Sequence, residues 1–268
     1  MSWLLGVLGT VYAYAAMYVM LALLGAMCLA WSVIALPLLY LLPRRAGTAV
    51  GRFGIMAGFR LYAWLLVIIG AYRLDLRALD GLRGGPPLIL APNHPSLIDA
   101  PLILTRHRSI ACVMKGALMR NLFLGAGSRL ARYIRSDMPR PMIKEAVADL
   151  REGGSLLLFP EGTRTTRAPV NPLTASIGVI AKHAGVAVQT LIIETDSSYL
   201  GKGGSLFRRP RLPIRYRVRL GRRFEPPTEV SGFMAALEQE YLEQLSGASP
   251  PARVRRTHAT VHADGCAR

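Results

Sequence analysis

Two short polar runs have the residue types and spacing that acid–base chemistry needs. The first, NHPSLID at residues 93–99, follows an apolar strand predicted from Pro87 and precedes a helix predicted to begin near Ser96. On one ideal helix His94 and Asp99 would lie about 140° apart around the axis, so they meet only if His94 precedes the helix. Asp99 would then accept from one ring nitrogen and leave the other as a general base. The alternative is structural, with Asp99 as a helix-start residue and His94 as a turn residue.

The second run, FPEGTR at residues 159–164, follows the apolar strand SLLLF. A carboxylate, a glycine and a guanidinium emerge together in one tight turn. Gly162 allows a positive φ or the close approach of a ligand. Arg164 offers a planar fork for a phosphate, and Glu161 can hold that fork or a substrate hydroxyl. The alternative is a surface turn with a local ion pair, which contributes little.

Together the two runs resemble the glycerolipid acyltransferase family, which includes the bacterial 1-acyl-sn-glycerol-3-phosphate acyltransferases. That family carries Asn-His-x4-Asp followed by Phe-Pro-Glu-Gly-Thr-Arg, and here 67 residues separate His94 from Glu161. The resemblance runs from about residue 72 to residue 224. It implies that His94 deprotonates the acceptor hydroxyl and that Asp99 orients the imidazole. It also implies that the glycerol phosphate is gripped by four residues: Arg164 with Gly162 and Thr163, and Arg135 in the segment that matches the family's intermediate motif.

The reaction implied by this resemblance is acyl transfer from acyl carrier protein or coenzyme A to the free hydroxyl of 1-acyl-sn-glycerol-3-phosphate. The product would be phosphatidic acid for phospholipid synthesis, and no cofactor or metal is expected. The chain departs from the family after the second run, where Leu173-Thr174-Ala175-Ser176 replaces the frequent Phe-Lys-x-Gly. Because a possible phosphate contact is lost with that lysine, a different lyso-lipid acceptor remains an alternative.

Two further functions compete with acyl transfer. Ser96 would serve as the nucleophile of a membrane-anchored hydrolase, although the chain has no Gly-x-Ser-x-Gly elbow. A non-enzymatic module would bind nucleic acid or anionic lipid through arginines. The segment Ile214–Leu220 alternates as IRYRVRL, which predicts a strand with Arg215, Arg217 and Arg219 on one face and Ile214, Val218 and Leu220 on the other. We expect this basic face to meet anionic membrane lipids rather than nucleic acid.

Composition places the chain at a membrane. It has 268 residues, a formal charge of +17 and 51% hydrophobic residues, which excludes a disordered protein. No charged side chain occurs from Ser2 to Pro43, a stretch too long for one perpendicular span. The sequence favours a hairpin that turns near Gly25 over one tilted span. Arg44 and Arg45 follow directly, which predicts that the remainder of the chain faces the cytoplasm. The resemblance to bacterial enzymes implies that the membrane is the bacterial inner membrane.

Strands alternate with helices from Tyr72 onward, which predicts an α/β fold with a mixed sheet and helices on its faces, behind a transmembrane or membrane-embedded helical segment. The predicted parts are a membrane anchor at 1–43, a basic interfacial helix at 44–71, an acyltransferase domain at 72–249 and a disordered tail at 250–268. Within the second part, Leu61–Gly70 is too short to span a membrane and fits an interfacial segment or a core helix equally. The three cysteines lack disulfide or zinc spacing.

Overall fold

The computed structural model describes residues 2–203 and 209–246, so the predicted tail at 250–268 lies outside the described residues. The chain forms a sheet with helices on both faces, preceded by two long helices. The elements, in order, are α1 (Ser2–Leu41), α2 (Arg44–Ile68), β1 (Tyr72–Asp75), a 3-10 helix (Arg77–Leu82), β2 (Ile89–Pro92), α3 (Asp99–Leu104), β3 (Ile110–Met114), α4 (Gly116–Met119), α5 (Gly125–Leu130), β4 (Ile134–Arg135), α6 (Pro139–Arg151), β5 (Ser155–Leu157), α7 (Ser176–Ala184), β6 (Val188–Thr195), β7 (Ile214–Phe224) and α8 (Val230–Ser246).

The first helix differs from the predicted hairpin. α1 is continuous over 40 residues, and the chain turns at Leu42 and Pro43 rather than near Gly25. A single glycine inside a helix costs only about 1 kcal/mol, which is too little to break an otherwise apolar helix. α1 and α2 are both long and apolar enough to cross a membrane.

The two long helices also pack along the rest of the chain. Met17 and Met20 of α1, with Tyr62 and Leu66 of α2, enter the same buried cluster as the sheet residues. The segment Leu61–Gly70, expected as either interfacial or core, largely forms the last turns of α2. One side of these turns is buried, whereas Trp64 on the other side is exposed. Each long helix therefore has a packed side and an apolar exposed side.

Within the described residues, seven strands form one mixed sheet in the order β1-β7-β6-β2-β5-β3-β4, which confirms the predicted fold class. All neighbouring strands are parallel except β6 and β7. The carboxyl ends of β2, β5, β3 and β4 therefore meet at one edge of the sheet, where open α/β sheets hold their ligands.

The two faces of the sheet bury different clusters. On one face, residues of the central strands pack against α1, α2 and α3, with Leu102 and Leu157 fully buried. On the other face, α6, α7 and α8 cover the sheet, with Ile180 and Leu237 fully buried. We call these the α1–α3 face and the α6–α8 face.

β7 has the predicted row of arginines. The alternation of buried and exposed side chains along this strand ends at Val218, earlier than the sequence pattern does. Val218 is buried on the α1–α3 face, whereas Leu220 is 39% exposed. The register with β6 shifts there: Leu191 pairs with Leu220, but Gln189 pairs with Arg223, which leaves one extra residue on β7. Such a bulge changes which face the following side chains meet. Leu220 directly precedes this bulge and still pairs in register with Leu191.

Candidate active site

The carboxyl end of β2 is fixed by a side-chain amide. Asn93 Nδ2 donates to the carbonyl of Ile193 at 3.1 Å, and the Ile193 amide donates to Asn93 Oδ1 at 2.7 Å. Asn93 is buried, so this two-way bridge between β2 and β6 satisfies a polar side chain that would otherwise be costly. The residue that follows, His94, thus leaves the sheet from a rigid position.

The side chains of His94 and Asp99 are in contact, in the arrangement that their five-residue spacing allows. α3 begins at Asp99, which leaves His94 in the extended turn before the helix. His94 Nδ1 lies 2.8 Å from Asp99 Oδ2. Asp99 is fully buried and the His94 side chain is 16% exposed. The carboxylate favours the tautomer that carries its proton on Nδ1 and leaves Nε2 as the free acceptor.

Asp99 receives two more hydrogen bonds. The Ser96 amide donates to Oδ2 and the Tyr216 hydroxyl donates to Oδ1, both at 2.8 Å. Burial raises the pKa of Asp99, and the hydrogen bonds from His94, Ser96 and Tyr216 oppose that rise. Burial also raises the pKa of the Tyr216 hydroxyl well above its ordinary value, which keeps the phenol protonated as a donor.

Sequence reasoning missed Tyr216. The residue lies on the apolar side of the IRYRVRL strand, 117 positions from Asp99, and it is buried. The feature of the sequence that could have identified Tyr216 was a hydroxyl in an otherwise apolar row, since a buried phenol needs a hydrogen-bond partner. No local pattern identified Asp99 as that partner.

The imidazole is held from a second side by Phe159. The two rings stack with centroids 3.9 Å apart and planes inclined by 26°. Among the residues that the structure describes, no protein group hydrogen-bonds His94 Nε2. The ring is therefore fixed in orientation while one nitrogen stays available to a substrate proton.

Glu161 connects the two motifs through its carboxylate. Oε1 accepts from the His94 amide at 2.9 Å and from Thr165 Oγ1 at 2.7 Å, and Oε2 accepts from the Asn171 amide at 2.9 Å. The Thr165 amide in turn donates to the His94 carbonyl at 2.7 Å. Glu161 is buried and both of its oxygens are occupied, so its contacts are those of a brace between loops.

The rest of the second motif forms the wall beside this brace. Gly162 has a φ of +64°, a backbone conformation that side chains disfavour. Thr163 is partly buried. Arg164 Nη1 donates to the carbonyls of Leu200 and Gly201 at 2.7 and 3.1 Å, which ties this turn to the loop after β6. Nε and Nη2 of Arg164 remain as donors for an anion.

Arg135 lies at the same edge of the sheet but farther from the imidazole. Three strand-to-strand steps separate β4 from β2, or about 14 Å at the usual strand spacing. The Arg135 guanidinium is exposed and bonds Asp137 at 2.6 Å, and this hydrogen bond lowers the pKa of Asp137 to about 2. Lys115, which sequence reasoning did not select, follows β3 between these positions and is also exposed. Arg164, Lys115 and Arg135 thus lie along this edge, with Arg135 paired to Asp137, and we call it the cationic edge.

Ser96 does not have the geometry of a nucleophile. Its hydroxyl is buried and donates to the carbonyl of Tyr199 at 3.2 Å. A serine nucleophile needs its oxygen exposed and within reach of the base. Ser96 instead anchors the loop after β6 to the start of the first motif.

A small apolar cavity of about 30 Å³ lies between this motif and the long helices. Leu97 and Ile98 line it from the motif, Met20 and Leu24 from α1, and Tyr62 from α2. Its position next to residues 96–99 places an apolar wall beside a polar catalytic pair. That combination suits an amphiphilic ligand.

Residues 73–194 match the family model described as Acyltransferase. The chain is 26% identical over 188 residues to the 1-acyl-sn-glycerol-3-phosphate acyltransferase of Pseudomonas aeruginosa, across 68% of this chain and 71% of the relative. It is 28% identical over 141 residues to the lyso-ornithine lipid O-acyltransferase of the same organism, across 48% of this chain and 51% of the relative. The crystal structure of the 1-acyl-sn-glycerophosphate (LPA) acyltransferase of Thermotoga maritima shares the fold, with a TM-score of 0.62, 18% identity and coverage of 92% and 98% of the two chains.

Residues 73–194 therefore match an acyltransferase family model, and the fold is that of the Thermotoga maritima enzyme. More particularly, the chain is similar to 1-acyl-sn-glycerol-3-phosphate acyltransferases, in agreement with the resemblance drawn from the two motifs.

Within the described residues, no three side chains of the His, Cys, Asp or Glu types are grouped to hold a metal ion.

Proposed function

We propose that this enzyme transfers a fatty acyl group from a thioester donor, acyl carrier protein or coenzyme A, to the free hydroxyl of 1-acyl-sn-glycerol-3-phosphate. The observation that carries the proposal is the His94–Asp99 pair at 2.8 Å, with Nε2 open at the cationic edge of the sheet. The product is phosphatidic acid.

His94 acts as the general base. Its Nε2 takes the proton of the acceptor hydroxyl while Asp99 stabilises the resulting imidazolium. The alkoxide attacks the thioester carbonyl, and the tetrahedral oxyanion collapses and expels a thiolate that takes the proton back from the imidazolium. General base catalysis contributes about 10²–10⁴-fold, and holding both substrates in place contributes more.

The acceptor phosphate is held by donors of the cationic edge. Arg164, with Gly162 and Thr163, provides the near contact, because its turn is bonded directly to His94 through Thr165. Arg135 provides the more distant contact. Glu161 supports this site by bracing the two loops rather than by binding substrate.

The apolar part of the lyso-lipid lies against the long helices. The cavity beside Leu97 and Ile98 opens among apolar side chains of α1 and α2, whose other sides are exposed and apolar. We propose that these exposed sides contact the cytoplasmic leaflet of the bacterial inner membrane and that the catalytic domain faces the cytoplasm. Arg44 and Arg45, which begin α2, support this orientation.

The decisive experiment incubates the enzyme in mixed micelles with a labelled acyl thioester and separate acceptors: lysophosphatidate, lyso-ornithine lipid and water. The proposal expects label on lysophosphatidate, and loss of that transfer in Asp99→Ala. Preferential transfer to lyso-ornithine lipid would show that this lipid is the acceptor instead of lysophosphatidate. Two observations favour that alternative: the similarity to the lyso-ornithine lipid O-acyltransferase, and the departure from the family pattern at Leu173-Thr174-Ala175-Ser176. Hydrolysis without transfer would overturn the proposed function.

A further inference from the structure

The segment between β3 and β4 exposes large apolar side chains at a turn. Leu118, Leu122 and Phe123 are 39%, 73% and 41% exposed, although neighbouring Gly125 is buried. Isolated apolar side chains on a surface are ordinary, but a group at the tip of one loop marks an interaction site. We call residues 115–124 the β3–α5 loop.

Most charges around this tip are positive, and the exception is Asp137, which accepts from the Gly116 amide at 3.1 Å. Between Asp99 and Asp137 the sequence contains seven Lys or Arg residues and no acidic residue. Three of the cations, Lys115, Arg120 and Arg129, are exposed beside the loop. Apolar tips within a basic collar are typical of surfaces that insert into the headgroup layer of anionic bilayers.

The β3–α5 loop is fixed against the long helices. Ser32 Oγ of α1 donates to the Phe123 carbonyl at 2.7 Å. The Trp31 ring fills two notches, at Gly54 of α2 and Gly127 of α5, where an added methyl group would overlap the indole. The tip therefore extends the exposed apolar side of α1 as one rigid surface.

We propose that the β3–α5 loop inserts into the headgroup layer of an anionic lipid leaflet and is a membrane contact separate from α1 and α2. The inference rests on the proposed membrane association. It assigns lipid binding to this loop instead of the arginine row of β7. Arg215, Arg217 and Arg219 point toward the α6–α8 face, where Arg219 bonds Gln244 of α8 at 3.3 Å. That face is opposite the one that carries the long helices.

Insertion is measured with an environment-sensitive NBD fluorophore on single cysteines, in a Cys28→Ala, Cys112→Ala, Cys266→Ser background. Leu122→Cys tests the loop, Leu36→Cys on exposed α1 reports membrane association, and Leu242→Cys on α8 is the matched negative control. With vesicles of phosphatidylglycerol and phosphatidylethanolamine, positions 122 and 36 should brighten and shift to the blue, and position 242 should not.

The pattern of these signals separates the two proposals. If position 122 behaves like position 242 while position 36 inserts, the loop inference is overturned and membrane association stands. If position 36 also fails to respond, membrane association falls with it, whereas acyl transfer in mixed micelles still tests the catalytic proposal.

Charge is tested by vesicle flotation. Arg120→Gln with Arg129→Gln should weaken binding to anionic vesicles by about fivefold per removed charge. Arg215→Gln with Arg217→Gln removes the same charge from β7 and should leave binding unchanged. The reverse result would return lipid binding to the β7 row and overturn the inference.

The apolar contribution is tested with Leu122→Asp, which should weaken vesicle binding about tenfold or more. Transfer to acceptor in detergent micelles should stay at the native rate, because Leu122 lies outside the catalytic machinery. Leu242→Asp is the control and should change neither. Unchanged vesicle binding in Leu122→Asp would contradict the proposal.

Discussion

The two faces of the sheet are built from similar apolar residues, yet only the α1–α3 face meets the catalytic pair. There Tyr216, Phe159 and Ile98 are buried against or beside His94 and Asp99, and the long helices complete the wall. On the α6–α8 face, Ile180 and Leu237 pack as in any α/β layer. The difference teaches that one face borders the proposed catalytic pair in addition to stabilising the fold, whereas the other is a packed apolar layer.

The strongest test of this difference is His94→Ala. Transfer should fall by about 10²–10⁴-fold with the fold intact, because the general base is lost. Labelled acyl transfer in mixed micelles measures the rate, and circular dichroism checks the fold. His183→Ala, an exposed histidine on α7, is the matched control and should retain the native rate. Native transfer by His94→Ala would remove the catalytic assignment.

Leu237→Ala tests the opposite face. The side chain is fully buried, and its truncation should lower the free energy of unfolding by about 2–5 kcal/mol. The folded enzyme should keep its kcat/KM, because Leu237 packs in the cluster of the α6–α8 face. Thermal unfolding and kinetics below the transition measure the two effects separately. A fall in kcat without a fall in stability would show that the two faces are coupled.

Tyr216→Phe sharpens the comparison within the α1–α3 face. A hydrogen bond to a charged group contributes about 1.5–3 kcal/mol, so transfer should fall about tenfold or more. The Tyr216 hydroxyl stabilises the Asp99 carboxylate, which lowers its pKa. Without that hydroxyl Asp99 takes up a proton at higher pH, so the acidic limb of the pH–rate profile should move to higher pH.

The matched control for Tyr216→Phe is Tyr199→Phe, whose buried hydroxyl has no hydrogen-bond partner among the described residues. That variant should keep the native pH profile. If Tyr216→Phe lowers the rate but the acidic limb of its pH–rate profile does not move, Tyr216 acts through packing and not through the pKa of Asp99.

The smallest effect is expected at Arg135. Arg135→Gln should raise KM for a phosphate-bearing acceptor by about two- to fivefold with kcat unchanged, because an exposed guanidinium contributes little. Acceptor titrations measure the change. Arg217→Gln, from the other side of the sheet, is the control and should leave KM unaltered. An unchanged KM in Arg135→Gln would exclude this residue from phosphate binding.

Much of the fold followed from local patterns. Residues 140–152 have a helical pattern that ends at two glycines, and residues 109–114 have the pattern of a strand; the structure has α6 and β3 at these places. The pattern YRLDLRAL at residues 72–79 also predicts a strand, but β1 ends at Asp75 and a 3-10 helix follows. Leu79 is fully buried in that short helix, so a tertiary contact outweighs the strand pattern there.

The site was predictable where its partners are near in sequence. His94 and Asp99 are five residues apart, and their spacing defined how they had to meet. Glu161 was expected to hold substrate, and its partners could not be foreseen. Its carboxylate bonds the His94 amide and the Asn171 amide, which belong to different loops.

The sequence alone determined the order of the two motifs and the apolar start of the chain, and it limited the ways in which His94 and Asp99 could meet, since each depends on neighbouring residues. Tertiary structure decided that Tyr216 completes the shell of Asp99 and that the β7 arginines point away from the long helices. Both outcomes depend on how β7 pairs with β6 and β1, a register set between strands distant in the chain.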